Sequence, residues 1–195
     1  MLDQFKNRLP LSEAQWNDYS NCFRRMVVPA KTVLLQEGAV SRKLFLVEQG
    51  CIRAWFNHDG KDITFQFFLE QSTVASMESF RKSRPSLVSL ETIEPSVLWW
   101  INKKDADRMV RELSAQEVLR ERFVDAIFER SFDHMAHLLS FIRDTPAQRY
   151  EALIRERPQL LQRIPQHYIA SYLGVSAVHL SRIKSRLAKN KPRFI

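Results

Sequence analysis

Cysteine is nearly absent: Cys22 and Cys51 are the only two in 195 residues, far apart and in no CxxC pair. Two isolated thiols cannot build a four-thiolate zinc site or an iron–sulfur cluster. Histidine is as sparse where it would matter. Of five, only His58 falls among the β-rich segments, and there is no H-x-H pair. A metal-dependent enzyme on a small barrel needs clustered His and carboxylate ligands on neighbouring strands, so that reading fails for want of ligands. Long apolar runs are missing too. The opening MLDQFKNRLPLSEAQ has no signal-peptide core, and no stretch nears membrane-spanning length. The expectation is a cytoplasmic protein with reduced thiols and no membrane partner. No internal repeat and no low-complexity segment is present.

Acidic residues stop at Glu156. From Arg157 onward Arg157, Arg163, Arg182, Lys184, Arg186, Lys189, Lys191 and Arg193 stand unopposed. A solvated structural helix mixes signs to gain i,i+4 pairs, whereas a face opposing a polyanion has no need to. The whole formal charge of +8 resides in residues 143–195, with 11 Lys/Arg against 3 Asp/Glu; residues 1–142 hold 19 of each. That asymmetry points to two domains, the C-terminal one meeting nucleic acid or an anionic surface, with double-stranded DNA the expected partner.

Along the chain, Ser12 and Glu13 open an amphipathic helix over Leu11–Phe23 with Trp16, Tyr19 and Phe23 in register. Short β-rich runs follow: Met26–Val28, Thr32–Leu35, Leu44–Val47, Cys51–Phe56, Ile63–Phe68, Leu87–Ile93 and Val97–Ile101. Turn signals at Pro29, Gly38, Gly50, Asp59-Gly60 and Pro95 separate them, as in a sandwich or barrel. Lys103–Leu113 reads as a short helix, and Ser114 to about Ile142 as a long one free of Gly and Pro. It carries two apolar edges: Leu119, Phe123, Ala126 and Ile127, then Val124, Phe128, Phe132, Met135, Leu139 and Ile142. A helix facing only its own domain needs one stripe, so a second copy is the simplest partner, with Phe123, Ile127, Phe128 and Met135 as dimer contacts. His134 and His137, three apart, could share a metal, but a lone helical pair is weak and no metal site is assigned. Thr145 and Pro146 start a new helix that ends before Pro158.

Arg163–Lys189 reads as two helices joined by a tight turn. Ile169, Ala170 and Leu173 line the first from Gln166; Gly174 makes the turn; Val175 plugs it; Ser176 caps a second helix with Leu180, Ile183 and Leu187 inward. This is the pattern of a helix-turn-helix.

The strands Glu37-Gly38…Phe45-Leu46-Val47-Glu48-Gln49-Gly50 and the segment Ile169-Ala170-Ser171-Tyr172-Leu173-Gly174-Val175-Ser176…Leu180-Ser181-Arg182 resemble the Crp–Fnr family of bacterial transcription regulators. The resemblance covers nearly the whole chain. It implies an α+β protein: an antiparallel β-roll or jelly-roll with flanking helices (1–113), a long dimerisation helix (114–143) and an all-α helix-turn-helix domain (144–195). It implies a homodimer and a sensory β-roll, with RNA polymerase as a further candidate partner. The DNA-binding set would be Ser176, Ala177, Val178, His179, Ser181, Arg182, Ser185, Arg186 and Lys189. Arg182 offers a bidentate guanine contact, and Ala177 and Val178 stand where the family's best-known readers carry Arg and Glu. After Lys189 too few residues remain for a full wing, and Lys191 and Arg193 would serve as a phosphate-contacting tail.

Cyclic-AMP-binding members hold the phosphate on a Gly-Glu pair, a short helix and Arg-Ser or Arg-Thr. Here the stretch is Ala75-Ser76-Met77-Glu78, then Arg84-Pro85-Ser86. Ser76, Glu78, Arg84 and Ser86 are the candidate effector residues of a degenerate cassette, since Pro85 offers neither hydroxyl nor N–H. The expectation is a DNA-binding regulator not controlled by cyclic AMP, with no cofactor identifiable, an unnamed small-molecule effector allowed, and no enzyme activity. Two alternatives stay open: an effector-independent regulator, and an adaptor whose basic tail binds acidic protein or RNA.

Overall fold

A computed structural model of the chain describes residues 12–190; the expected tail cations Lys191 and Arg193, and Leu11 at the first helix, lie outside them. Helix α1 is Glu13–Ser20, shorter than expected. Ser12 caps it in a capping box with Gln15, and Phe23 lies beyond its end. Strands β1 (Arg24–Val28), β2 (Val33–Leu35), β3 (Lys43–Gln49), β4 (Ile52–His58), β5 (Lys61–Phe68), β6 (Thr73–Val74), β7 (Ser89–Thr92) and β8 (Ser96–Asn102) follow, with helix α2 (Met77–Lys82) between β6 and β7. They form two four-stranded sheets, β1-β8-β3-β6 and β2-β7-β4-β5. The β1–β8, β3–β8, β3–β6, β2–β7 and β4–β7 pairs are antiparallel. Every expected strand is present, each end shifted by at most a few residues.

Two turns explain the punctuation. Between β4 and β5, Asp59 and Gly60 have φ of 52° and 75°, and the Asn57 side chain accepts the Gly60 amide. Two successive left-handed residues give the tight hairpin twist that Asp-Gly favours. At Gly50 a Cβ would come within 2.2 Å of Ser96 Oγ, so only glycine lets β3 and β8 meet there.

Helices α3 (Lys103–Ser114) and α4 (Glu117–Arg143) are separated by Ala115 and Gln116. Then come α5 (Pro146–Glu156), α6 (Pro158–Arg163), α7 (Gln166–Tyr172) and α8 (Ala177–Asn190). Helix α6 was not expected. Pro158 reads as a stop for α5, but it also stands at the first position of α6, where a missing N–H costs nothing.

The chain divides into two compact units. One takes residues up to Phe56 together with Gln66–Glu129; the other takes Asn57–Phe65 and the chain from Arg130. This division falls inside α4. In the first unit, Ala75, Phe80, Ile101 and Ala106 form one buried cluster and Tyr19, Leu113 and Leu119 another. The Tyr19 hydroxyl donates to Glu112 at 2.8 Å, and its pKa is pushed up to about 12 by burial and by that carboxylate. No helix among the described residues is long and apolar enough to cross a membrane.

Candidate nucleic-acid interface

The second unit holds the two-helix motif. At the end of α7 the Gly174 amide bonds Ser171 O at 3.0 Å and the Val175 amide bonds Ala170 O at 2.9 Å. These are the two reversed bonds of a Schellman turn, which needs its middle residue left-handed, and Gly174 has φ of 68°. Val175, expected as a buried plug, is half-buried. Ser176 then caps α8, its hydroxyl accepting the His179 amide at 3.1 Å. Ile169, Ala170, Leu173, Leu180 and Ile183 are buried where the two helices meet.

The opposite side of α8 is open. Val178, Arg182, Ser185 and Lys189 step by four, three and four residues along one exposed stripe, flanked by Ser181 and Arg186. Ala177, His179 and Ser176 are exposed at its start. All nine sequence-derived DNA-contact residues therefore lie exposed on α8 or at its cap, and no acidic residue interrupts them.

The packing around the turn rests on residues that sequence reasoning missed, among them the half-buried His137 and Phe141, which stays 39% exposed. Phe141, near the end of α4, lies so close to the turn that a Cβ on Gly174 would come 2.9 Å from its ring. His137 stacks on Tyr172 with centroids 4.7 Å apart and meets Phe141 edge-on at 5.1 Å. Burial lowers the His137 pKa, assisted by Arg157, His134 and Arg149; burial raises that of Tyr172. His137 is thus a packing residue, and the described residues contain no group of three or more His, Cys, Asp or Glu able to hold a metal. Ser171 on α7 bonds the backbone of Asp62 and Thr64 in the hairpin. Only Gly174 and the helical spacing carried a sequence signal here; a solitary arginine or phenylalanine in a helix carries none.

Helix α4 presents its second apolar edge to solvent. Val124, Phe128, Phe132, Met135, Leu139 and Ile142 are all exposed, joined by Leu138. Ile127, assigned from sequence to the other edge, is 65% exposed and belongs with them. Phe123 does not: it packs on the Tyr19, Leu113 and Leu119 cluster of its own unit. Of the four expected dimer contacts, Ile127, Phe128 and Met135 share one face and Phe123 turns inward.

Of the four effector candidates, Glu78 feels the charge of Arg84, and each otherwise stands in its own setting. Glu78 is exposed and pairs with Lys82 at 2.9 Å, which lowers its pKa. Arg84 is exposed. Ser86 is buried, its hydroxyl donating to Val88 O. Ser76 precedes α2 without a side-chain capping bond. Ser79 holds the loop, linking the Ser41 amide and the Arg84 carbonyl. A buried Arg53–Glu91 pair, opposite one another on β4 and β7, was also unforeseen; their nitrogen–oxygen separations are 3.4 Å.

Residues 25–112 match the sequence family described as the cyclic nucleotide-binding domain. The fold is shared with solved structures. FixK2 from Bradyrhizobium japonicum superposes with a TM-score of 0.73 at 14% identity, covering 86% of this chain and 85% of that one. The c-di-GMP responsive global regulator CLP of Xanthomonas campestris gives 0.71 at 16%, covering 92% and 93%. The catabolite activator protein of Thermus thermophilus gives 0.54 at 20%, covering 92% and 85%. No curated protein sequence matches. At such identities the likeness is one of fold.

Proposed function

We propose that this chain, with its cyclic nucleotide-binding-type β-roll and the fold of Crp–Fnr regulators, is a homodimeric, sequence-specific DNA-binding transcription regulator and not an enzyme. The observation that carries the reading is the exposed, acid-free face of α8 behind a Schellman turn. A helix held this way enters a major groove with its N-terminal half against base edges. Arg182 supplies a bidentate guanine contact, Ala177 and Val178 meet thymine methyl groups, and Arg186 and Lys189 neutralise phosphates. The open apolar stripe of α4 is covered by a second copy, which sets two recognition helices about a two-fold axis. The protein works in the cytoplasm, where its target lies.

Cyclic AMP is not the effector on this reading. A cyclic phosphate needs convergent donors, and here Glu78 is engaged by Lys82, Arg84 faces solvent and Pro85 lacks an N–H. Selection of sites from a random DNA pool with purified protein tests the function. The expected result is a two-fold-related pair of half-sites retained against competitor DNA. Binding that falls with salt yet ignores sequence would overturn it in favour of a basic adaptor.

A further inference from the structure

Arg149 stands in the second turn of α5, away from the exposed stripe of α8. Its Nη1 donates to Asp144 O at 2.7 Å and Ser140 O at 3.4 Å, and its Nη2 to Leu173 O at 2.9 Å. Ser140 and Asp144 are at the C-terminal end of α4; Leu173 is the C-cap of α7. The Ser140 carbonyl already accepts the Asp144 amide at 2.9 Å, whereas the last carbonyls of a helix lack intrahelical partners and carry the negative pole of its dipole. One guanidinium therefore closes the ends of two helices and joins the long helix to the turn that launches α8. The Asp144 carboxylate is bound by Arg143 at 2.7 and 3.1 Å and feels the Arg149 charge only as a lesser influence. The guanidinium also lies 4.4 Å from the centroid of the Phe141 ring, the same ring that Gly174 approaches.

Simple surface solvation does not account for this arrangement. Arg149 Nε is buried without a hydrogen-bond partner among the described residues. The planar fork of arginine spreads over several carbonyls, which the single ammonium of lysine cannot do. We propose that Arg149 is a positioning residue for DNA recognition: it fixes the direction of α8 against the last turns of α4, so that the helix carrying the dimer face also sets the angle of the recognition helix. This rests on the DNA-binding reading above and adds to it the residue that ties the two helices.

The test uses the full chain and the variant Arg149→Lys, which keeps the charge. Spin labels on Asp133→Cys and Ala188→Cys, both exposed and both within the second unit, report the angle as a distance. Cys22→Ser removes the accessible native thiol, and Cys51 is fully buried. With labelled protein diluted in an excess of unlabelled chain, so that a dimer carries one labelled copy, the parent should give one narrow distance and Arg149→Lys a broad or displaced one. In unlabelled protein the ratio of specific to random DNA affinity should fall roughly tenfold, with random-sequence affinity held within about twofold because the charge is retained. Phe141→Leu, which removes the ring and leaves the guanidinium, should broaden the distance in part, and it serves should Arg149→Lys not fold. An unchanged distance in folded Arg149→Lys overturns the proposal, even with a lower unfolding midpoint, because that is a stabilising role alone. A broadened distance in a protein that selects no DNA site supports the clamp and overturns only the DNA-binding reading beneath it.

Discussion

The Ser171 hydroxyl accepts a hydrogen bond from the Thr64 amide at 2.9 Å and, through its own proton, donates to the Asp62 carbonyl at 3.1 Å. Asp62 and Thr64 are alternate residues of β5, the edge strand of its sheet. Backbone groups two residues apart point to the same side of a strand, and an edge leaves its outward row unpaired. One hydroxyl on α7 takes an amide and a carbonyl from that row, as a further strand would. The hairpin tip Asn57–Phe65 accordingly falls in the same compact unit as the helix-turn-helix.

Ser171→Ala should therefore cost about 1 kcal/mol, the usual net worth of a partly buried hydrogen bond. Amide hydrogen exchange at Thr64 should quicken, while Ser171→Thr, which keeps the hydroxyl, should hold it nearer the parent rate. Equal exchange in parent and Ala variant would remove the hydroxyl from the contact.

Arg182 stands on the exposed stripe of α8 with no hydrogen-bond or ion-pair partner among the described residues. Arg182→Ala should cost about 1–3 kcal/mol in operator binding and relax the preference at one base pair per half-site. Binding isotherms on matched and mutated sites check this. An equal loss on specific and random DNA would reassign Arg182 to the phosphates.

The stripe on α4 predicts its own test. Phe128→Asp or Met135→Glu changes a residue already 55% exposed in one copy, so the fold of that copy should survive. A charge set into an apolar seam between two copies should weaken the dimer by several kcal/mol, and DNA binding with it. Sedimentation across a concentration series reads the first effect. An unchanged dimer removes this face from the interface, whereas Phe123, turned toward Tyr19 and Leu119, should affect folding instead.

Much of this architecture is legible in the sequence because the signals are local. Asp59-Gly60, Gly50 and Gly174 sit where the backbone is left-handed, and all three turns are found. Heptad-like spacing also placed the exposed edge of α4. What spacing could not place is the boundary of its two faces: Ile127 lies between them, and only the packing of Leu119 and Phe123 on the first unit decides it. The Arg149 contacts were invisible for a similar reason. Arg149 acts through carbonyls, which every residue possesses, so its partners Ser140, Asp144 and Leu173 leave no pattern of side chains to read. Pro158 misled because proline ends one helix and starts another equally well.

Cyclic AMP should leave the unfolding midpoint unchanged. A ligand that binds only the native state adds about 2.7 kcal/mol of stability at a hundredfold excess over Kd, and so raises the midpoint. Calorimetry at millimolar nucleotide checks this. A clear upward shift would mean that donors other than Glu78 and Arg84 assemble around the phosphate.

Acidification should weaken the second unit through His137. The ring is packed between Tyr172 and Phe141, and the charged or titratable groups around it are Arg157, Arg149 and His134, with Tyr172 beside it. No carboxylate is among the groups that shift it, so a proton there gains no counter-charge. Burial, then those cations, hold its folded pKa below the ordinary 6.5, and His134 is lowered too, chiefly by burial. Unfolded chains therefore bind more protons than folded ones as pH falls below 6.5, and stability present at neutral pH is lost on the acid side. Thermal unfolding between about pH 8 and about pH 5 should show the midpoint of the second unit falling across the lower half of that range. His137→Phe keeps an aromatic ring on Tyr172 and Phe141 but cannot titrate; combined with His134→Gln it should flatten the profile. A double variant that loses as much stability on acidification as the parent would place the titrating groups elsewhere.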